Sequence, residues 1–213
     1  MSNSKRYQQL ASRLAKLRKH FLPKFFSPIG SYTEKQHDFA RGYRLLAHAE
    51  FESFLEDIVW NAILIKVESW KNHGKPSALI ICFLSCYHSD WGSEIDEESI
   101  IVQSPKNHIK ATEKSHEAVI NRAINQFRLV IDKNHGIRES NIRKITTPVG
   151  IKLAELDQTW LNTVDTFGKL RGEVAHKAVG IQQRIDPQTE YQNVVDLLVG
   201  FKKLDELVRS AQK

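Results

Sequence analysis

Residues 33–63 read TEKQHDFARGYRLLAHAEFESFLEDIVWNAI, and the spacing of their apolar positions decides the fold class. Phe39, Tyr43, Leu46, Ala47, Phe51, Phe54, Leu55, Ile58 and Ile63 recur mostly at three and four residues. That is the period of one helix face, without the alternation a half-buried strand shows. Thr33 followed three later by Gln36 is a capping-box pattern and predicts where the helix opens. Asn72-His-Gly-Lys-Pro76 predicts where it stops. A long helix that is apolar along one side needs other helices to cover it.

The flanking segments supply them. Leu10, Leu14, Leu17 and Phe21 predict an amphipathic helix ending before Pro23, and Phe26-Ser-Pro-Ile-Gly-Ser31 reads as a linker. A short apolar segment, Ala78 to Cys86, follows the long helix, and residues 87–111 then lose helical periodicity. They are polar, carry Asp90, Glu94, Asp96, Glu97 and Glu98, and read as a surface insertion in which Ser99 to Gln103 forms a brief strand. Periodicity resumes at Thr112, with Val119, Ile120, Ala123, Ile124, Phe127, Val130 and Ile131, and halts at Gly136. Pro148 and Gly150 precede a helix carrying Leu153, Leu156, Trp160, Leu161, Val164, Phe167 and Leu170, running to about Val179 with Gly180 as C-cap. Asp186-Pro187 caps a last helix with Val194, Val195, Leu198, Val199, Leu204, Leu207 and Val208. The architecture read from this pattern is an all-α bundle of five to six helices, interrupted by a polar insertion.

The 213 residues are 41% hydrophobic and 26% charged, ordinary globular usage that excludes a disordered chain. Ala78 to Leu84 falls far short of the roughly 18 apolar residues of a membrane helix. No secretory signal is read at the N-terminus, so a cytoplasmic setting is expected. Cys82 and Cys86, four apart on a predicted helix, cannot build a disulfide framework and read as reduced thiols. The net charge of +6 is unevenly placed. Residues 1–33 hold Lys5, Arg6, Arg13, Lys16, Arg18, Lys19 and Lys24 and no acid, which leaves 24 bases against 25 acids from Glu34 onward. A basic arm of this kind suits a polyanion, a nucleic acid above all. A solvated helix face is the alternative, and an organelle transit peptide a more distant one.

Most histidines are uninformative: His20, His37, His73 and His135 lie near helix ends or in polar stretches, and His48 four after Arg44 reads as a surface pair. Cys82, Cys86 and His88 lack the second ligand pair of a tetrahedral zinc site and read instead as buried small thiols. No phosphate-binding glycine loop, nucleophile elbow or His-Glu-x-x-His is present. What remains is Phe167-Gly-Lys-Leu-Arg-Gly-Glu-Val-Ala-His176. At about 100° per residue, Arg171 and His176 flank a strip floored by Gly168, Gly172 and Ala175. Helix-interior glycines cost about 1 kcal/mol each, and small residues let another backbone or a ligand come close. RNA cleavage needs a base for the 2′-hydroxyl proton and charge stabilisation for the phosphorane, which imidazole and guanidinium supply without a metal. The two side chains diverge on an ideal helix, and a two-fold contact through the Gly168/Gly172/Ala175 face would bring two Arg/His pairs together. The alternative is a helix-packing seam with a capping histidine.

Arg171-Gly-Glu-Val-Ala-His176 resembles the Arg-x4–6-His motif of the HEPN superfamily (higher eukaryotes and prokaryotes nucleotide-binding domains), and its surroundings resemble the RiboL-PSP branch. There a long early helix carries a pattern like Arg44-Leu-Leu-Ala-His-Ala-Glu50-Phe-Glu52-Ser-Phe-Leu-Glu56, and a Val149-Gly150-type turn and a Trp-containing helix lead into the motif. The resemblance covers roughly residues 34–70 and 112–210. It divides the chain into a basic helix and linker, 1–30, and a HEPN-like domain, 31–213, with the insertion at about 87–111. It implies an up-and-down bundle, commonly homodimeric. Active members are metal-independent endoribonucleases with a composite site at the dimer interface, many of them in toxin–antitoxin or antiviral systems. Carried over, Arg171 holds the phosphate, His176 is the general base or acid, and Glu50 or Glu52 orients the motif from the facing helix. RNA, a second copy and an antitoxin or defence partner are the implied partners; no cofactor, metal or membrane is implied. Gly172 departs from the polar residue that often follows the motif arginine. A catalytically silent module for dimerisation, RNA binding or partner docking is therefore the alternative. Duplex-DNA binding finds no helix-turn-helix or zinc-finger pattern.

Overall fold

The computed structural model describes residues 3–87, 105–176 and 184–213, without the side chains of 105–116 and 173–176. Among the described residues there are seven α-helices, two 3-10 turns and no strand. The helices are α1 (Lys5–Phe21), α2 (Glu34–His73), α3 (Ala78–Ser85), α4 (Pro105–Asp132), α5 (Glu139–Thr146), α6 (Gln158–His176) and α7 (Pro187–Ala211). The 3-10 turns are Thr147–Val149 and Leu153–Glu155. The all-α class expected from periodicity is the class observed.

Local chemistry sets most boundaries where the sequence places them. Thr33 and Gln36 form the reciprocal capping box of α2, and Gly74 closes that helix at φ 70° with its N–H on the Trp70 carbonyl. Asp186 caps α7 by accepting from Thr189 N–H, with Pro187 in the first turn. Leu22 leaves α1 in extended conformation just before Pro23.

Four readings need correction. The count exceeds five to six because α5 spans only eight residues, with Ile142 and Ile145 as its buried apolar positions, too few to show a period. The fourth helix starts at Pro105, seven residues before the apolar pattern resumes, because proline suits a first turn that carries no apolar stripe. The sixth starts at Gln158, where Asp157 accepts from Trp160 N–H; Leu153 precedes it in a 3-10 turn and Leu156 in the extended residue that closes that turn. In α3 the buried face is Leu79, Ile80 and Phe83, so Cys82 is half-buried and Cys86 exposed rather than both buried. The strand read at Ser99–Gln103, His88 and the cap at Gly180 lie outside the described residues.

The core forms around α2. Phe201 of α7 stacks on Phe51 at 4.7 Å and meets Phe54 and Trp160 edge-on. Tyr7, Leu10, Leu14 and Leu17 bury α1 against this group, and Ser4 Oγ donates to Asp205 of α7 at 2.8 Å. Trp160 therefore sits beside the middle of α2, while Phe167, two turns later, stacks on His48. Helix α6 thus runs antiparallel to α2, and its C-terminal end lies toward the start of α2. The chain returns there, where Arg184 pairs with Glu34 at 3.0 Å and the Ile185 carbonyl accepts from His37.

Candidate nucleic-acid-processing site

The end of the bundle toward which the motif runs is floored by an unusual face of α2. His37, Arg41, Arg44 and His48 recur at four, three and four residues, and all are buried, between 1% and 7% exposed. A helix face that buries charge must pair it. Arg44 does so with both carboxylate oxygens of Glu190 on α7, Nε to Oε1 at 2.9 Å. His37 Nδ1 donates to the Ile185 carbonyl at 2.7 Å, with the Tyr32 ring edge-on. His48 lies flat on Phe167, at 6.2 Å and 12°, and its Nδ1 is 3.4 Å from Glu52 Oε2. Arg41 donates to Asp38 at 2.6 Å, while its buried Nε has no hydrogen-bond partner among the described residues.

Three sequence readings change as a result. His37 and the Arg44/His48 pair are interior, not surface. Phe39 and Leu46, expected on the buried side, are 42% and 38% exposed because this polar stripe takes their place.

Helix α6 buries Trp160, Leu161, Val164 and Phe167. Arg171 follows Phe167 by four residues, about 40° round the helix, so its stem continues the buried face. It is half-buried, and its Nε is enclosed with no hydrogen-bond partner among the described residues. The glycines beside it differ in kind. A Cβ on Gly168 would lie 2.7 Å from Arg138 Cγ, so Gly168 is a seat for the stem of Arg138. Asp165, one turn earlier, fixes that contact by accepting from Glu139 N–H at 2.7 Å and lying 3.8 Å from Arg138 Nε. Among the described residues nothing lies within 4 Å of the Cβ position of Gly172. The side chains of Ala175 and His176 lie outside the described residues; the helix itself continues through both. Of the two described glycines of the strip, Gly168 is therefore filled by Arg138 and Gly172 meets no described neighbour.

The proposed supporting acids divide. Glu50 turns to α1 and pairs with Arg13 at 2.9 Å. Glu52 stands against His48, and so reaches the motif helix through the His48–Phe167 stack. The basic arm divides likewise. Arg6 pairs with Asp57 at 2.8 Å, and Arg18 donates to the Leu22 and Lys24 carbonyls while lying over Phe26 and Tyr191. Lys5, Lys16, Lys19 and Lys24 remain exposed. The three arginines hold the bundle together, and the four lysines carry the free charge of the segment.

Two clefts flank these elements. One, of about 280 Å³, runs along α6 between Thr159 and Leu170 and is closed by Asn193 of α7. The other, of about 470 Å³, lies between α2 and the end of α4 and is lined by Glu52, Glu56, Asp57, Trp60, Asp132 and Asn134 among others. Burial pushes the Glu56 carboxyl above its ordinary range; Glu52 and Asp57 add to this, and the hydrogen bond from Asn134 opposes it. Arg41 and the interior His37 escaped sequence reasoning. Their four-three-four spacing with Arg44 and His48 was the available signal.

A family model described as RiboL-PSP-HEPN matches residues 8–210. The chain belongs to this family. No curated protein and no solved structure matches it. The RiboL-PSP-HEPN match takes in α1, which the resemblance had left outside, and this agrees with the burial of Leu10, Leu14 and Leu17 in the bundle. It also spans α6 and its Arg171/His176 motif. Among the described residues no helix is long and apolar enough to cross a membrane.

Proposed function

We propose that this HEPN-type module is an endoribonuclease that cuts RNA without a metal, Arg171 holding the phosphate and His176 moving the proton. The 2′-oxygen attacks the adjacent phosphorus and the 5′-oxygen of the next nucleotide leaves. A 2′,3′-cyclic phosphate and a 5′-hydroxyl remain. One group must accept the 2′-hydroxyl proton and one must protonate the leaving oxygen, and imidazole serves for either near neutral pH. The guanidinium meets two phosphate oxygens at once and stays charged throughout. The observation that carries this reading is Arg171 itself: its Nε has no described partner, and no described atom lies within 4 Å of the Cβ position of the neighbouring Gly172.

Arg171 and His176 are separated by about 7.5 Å along the helix axis and about 140° around it. One copy directs them apart, so we infer a homodimer in which two motifs meet over Gly172. The resemblance supports a toxin or antiviral-defence effector in the cytoplasm, held in check by a partner protein. In the test, His176→Ala abolishes cleavage of total RNA while RNA binding persists, as read by gel and by filter retention. Cleavage retained in that variant would overturn the assignment. Gly172 favours a second reading, a silent module that docks a partner where active members carry a polar residue. On that reading neither the wild type nor His176→Ala cuts RNA.

A further inference from the structure

We propose that the linker between α1 and α2 presents a stacking platform for unpaired RNA bases, made by Phe25 and Phe39 with Lys24 and Lys35, at the motif end of the bundle. This rests on the RNA reading above and names a binding surface separate from Arg171 and His176.

The platform begins with a linker that is tied down. Arg18 donates to the Leu22 and Lys24 carbonyls, both at 3.3 Å, and its guanidinium lies over Phe26 at 4.7 Å and Tyr191 at 5.3 Å. Phe26 in turn stacks on Tyr191 at 5.9 Å. Ser27 N–H donates to the Tyr32 hydroxyl at 3.1 Å, and Gly30 turns the chain at φ 69° with its N–H on the Ser27 carbonyl. A segment with this many internal ties could fold its apolar side chains inward, yet Phe25 is 80% exposed. Phe39, on the second turn of α2, is 42% exposed, its ring held edge-on by Phe21 at 6.3 Å.

Charge decides what such rings bind. The Lys24 ammonium lies 5.3 Å from the Phe25 centroid and the Lys35 ammonium 5.6 Å from that of Phe39. The nearby acids are already used: Glu34 pairs with Arg184 and Asp38 with Arg41. Among the described residues no carboxylate pairs with Lys16, Lys19, Lys24 or Lys35. Each of the two rings is therefore accompanied by an ammonium group, so aromatic face and positive charge come together at both. Ring faces beside free ammonium groups take any base by stacking and its phosphate by charge, which is the recipe for single-strand binding without sequence preference. The position suits the proposed chemistry, since Tyr32 packs on His37 and Glu34 pairs with Arg184, just beyond the motif helix.

The test uses the full chain carrying His176→Ala, so that RNA survives, with fluorescein-labelled oligouridylate and a duplex RNA read by anisotropy at one fixed salt concentration. Adding Phe25→Ala weakens oligouridylate binding roughly 5- to 100-fold, leaves duplex binding unchanged, and Phe25→Trp restores the affinity. Oligouridylate binding that Phe25→Ala does not weaken overturns the platform and leaves the RNA reading standing. Failure of the His176→Ala chain to bind either RNA overturns both. A change of oligomeric state by light scattering with unchanged RNA binding makes the patch a self-association surface, which also overturns it.

Discussion

At the scale of single residues, two positions show how burial decides a side chain's worth here. Gly200 on α7 carries the Trp160 ring so closely that a Cβ there would lie 2.2 Å from it. Alanine gains about 1 kcal/mol over glycine in a helix interior. Overpacking against a buried ring costs typically 1–3 kcal/mol, and Trp160 cannot move away without losing its Nε1 hydrogen bond to the Leu197 carbonyl. We therefore expect Gly200→Ala to destabilise the protein in urea titrations, and a gain in stability would contradict the packing. Glu56 is the second position. Its carboxyl is raised by burial, so the folded state binds its proton more tightly than the unfolded chain does. That contribution is present in acid and is lost as pH rises through the raised value. Glu56→Gln keeps an acceptor for Asn134 and removes the half-buried charge. Its melting temperature should exceed that of the wild type at neutral pH, and the difference should vanish in acid; an advantage independent of pH would contradict the cause assigned.

Among the described ion pairs that join elements, the most deeply buried is Arg44–Glu190 between α2 and α7, 7% and 1% exposed. Removing one partner of a buried pair leaves the other uncompensated, at about 3–5 kcal/mol, whereas replacing both with apolar residues is often neutral. Arg44→Met should lower unfolding stability by roughly that amount, and Arg44→Met with Glu190→Leu should recover most of it. Additive losses would show that the pair is not coupled. The same helix marks where sequence reading succeeds and stops. Its cap, its C-terminal glycine and the buried apolar positions Tyr43 and Ala47 to Ile63 follow from local chemistry and from one apolar period. The stripe from His37 to His48 obeys that period too, but with residue types that normally face water, so their burial follows only from Glu190 and Ile185 arriving from the far end of the chain. Helix α5 escaped for a different reason, being too short for any period to declare itself.

Across the whole molecule, the antiparallel course of α6 against α2 gathers the motif, the start of α2, the basic linker and the return at Arg184 at one end of the bundle. The fold class was legible from spacing alone, whereas spacing left Arg171 and His176 open between a site and a packing seam, and the resemblance to the HEPN motif singled them out. The partition of the glycine strip was not legible, because Arg138 reaches Gly168 from the N-cap of α5, a helix too short for its period to show. The division of the basic arm between structural arginines and free lysines was hidden similarly, since it depends on Glu50, Asp57 and Tyr191 from other helices. The central claim is that this end of the molecule cuts RNA by internal attack. The measurement that tests it most directly is cleavage of total RNA in EDTA by the full chain, with analysis of the product ends, wild type beside His176→Ala. The account predicts 2′,3′-cyclic phosphate ends from the wild type and intact RNA from the variant. Products with 3′-hydroxyl ends, or cutting by the variant, would contradict it.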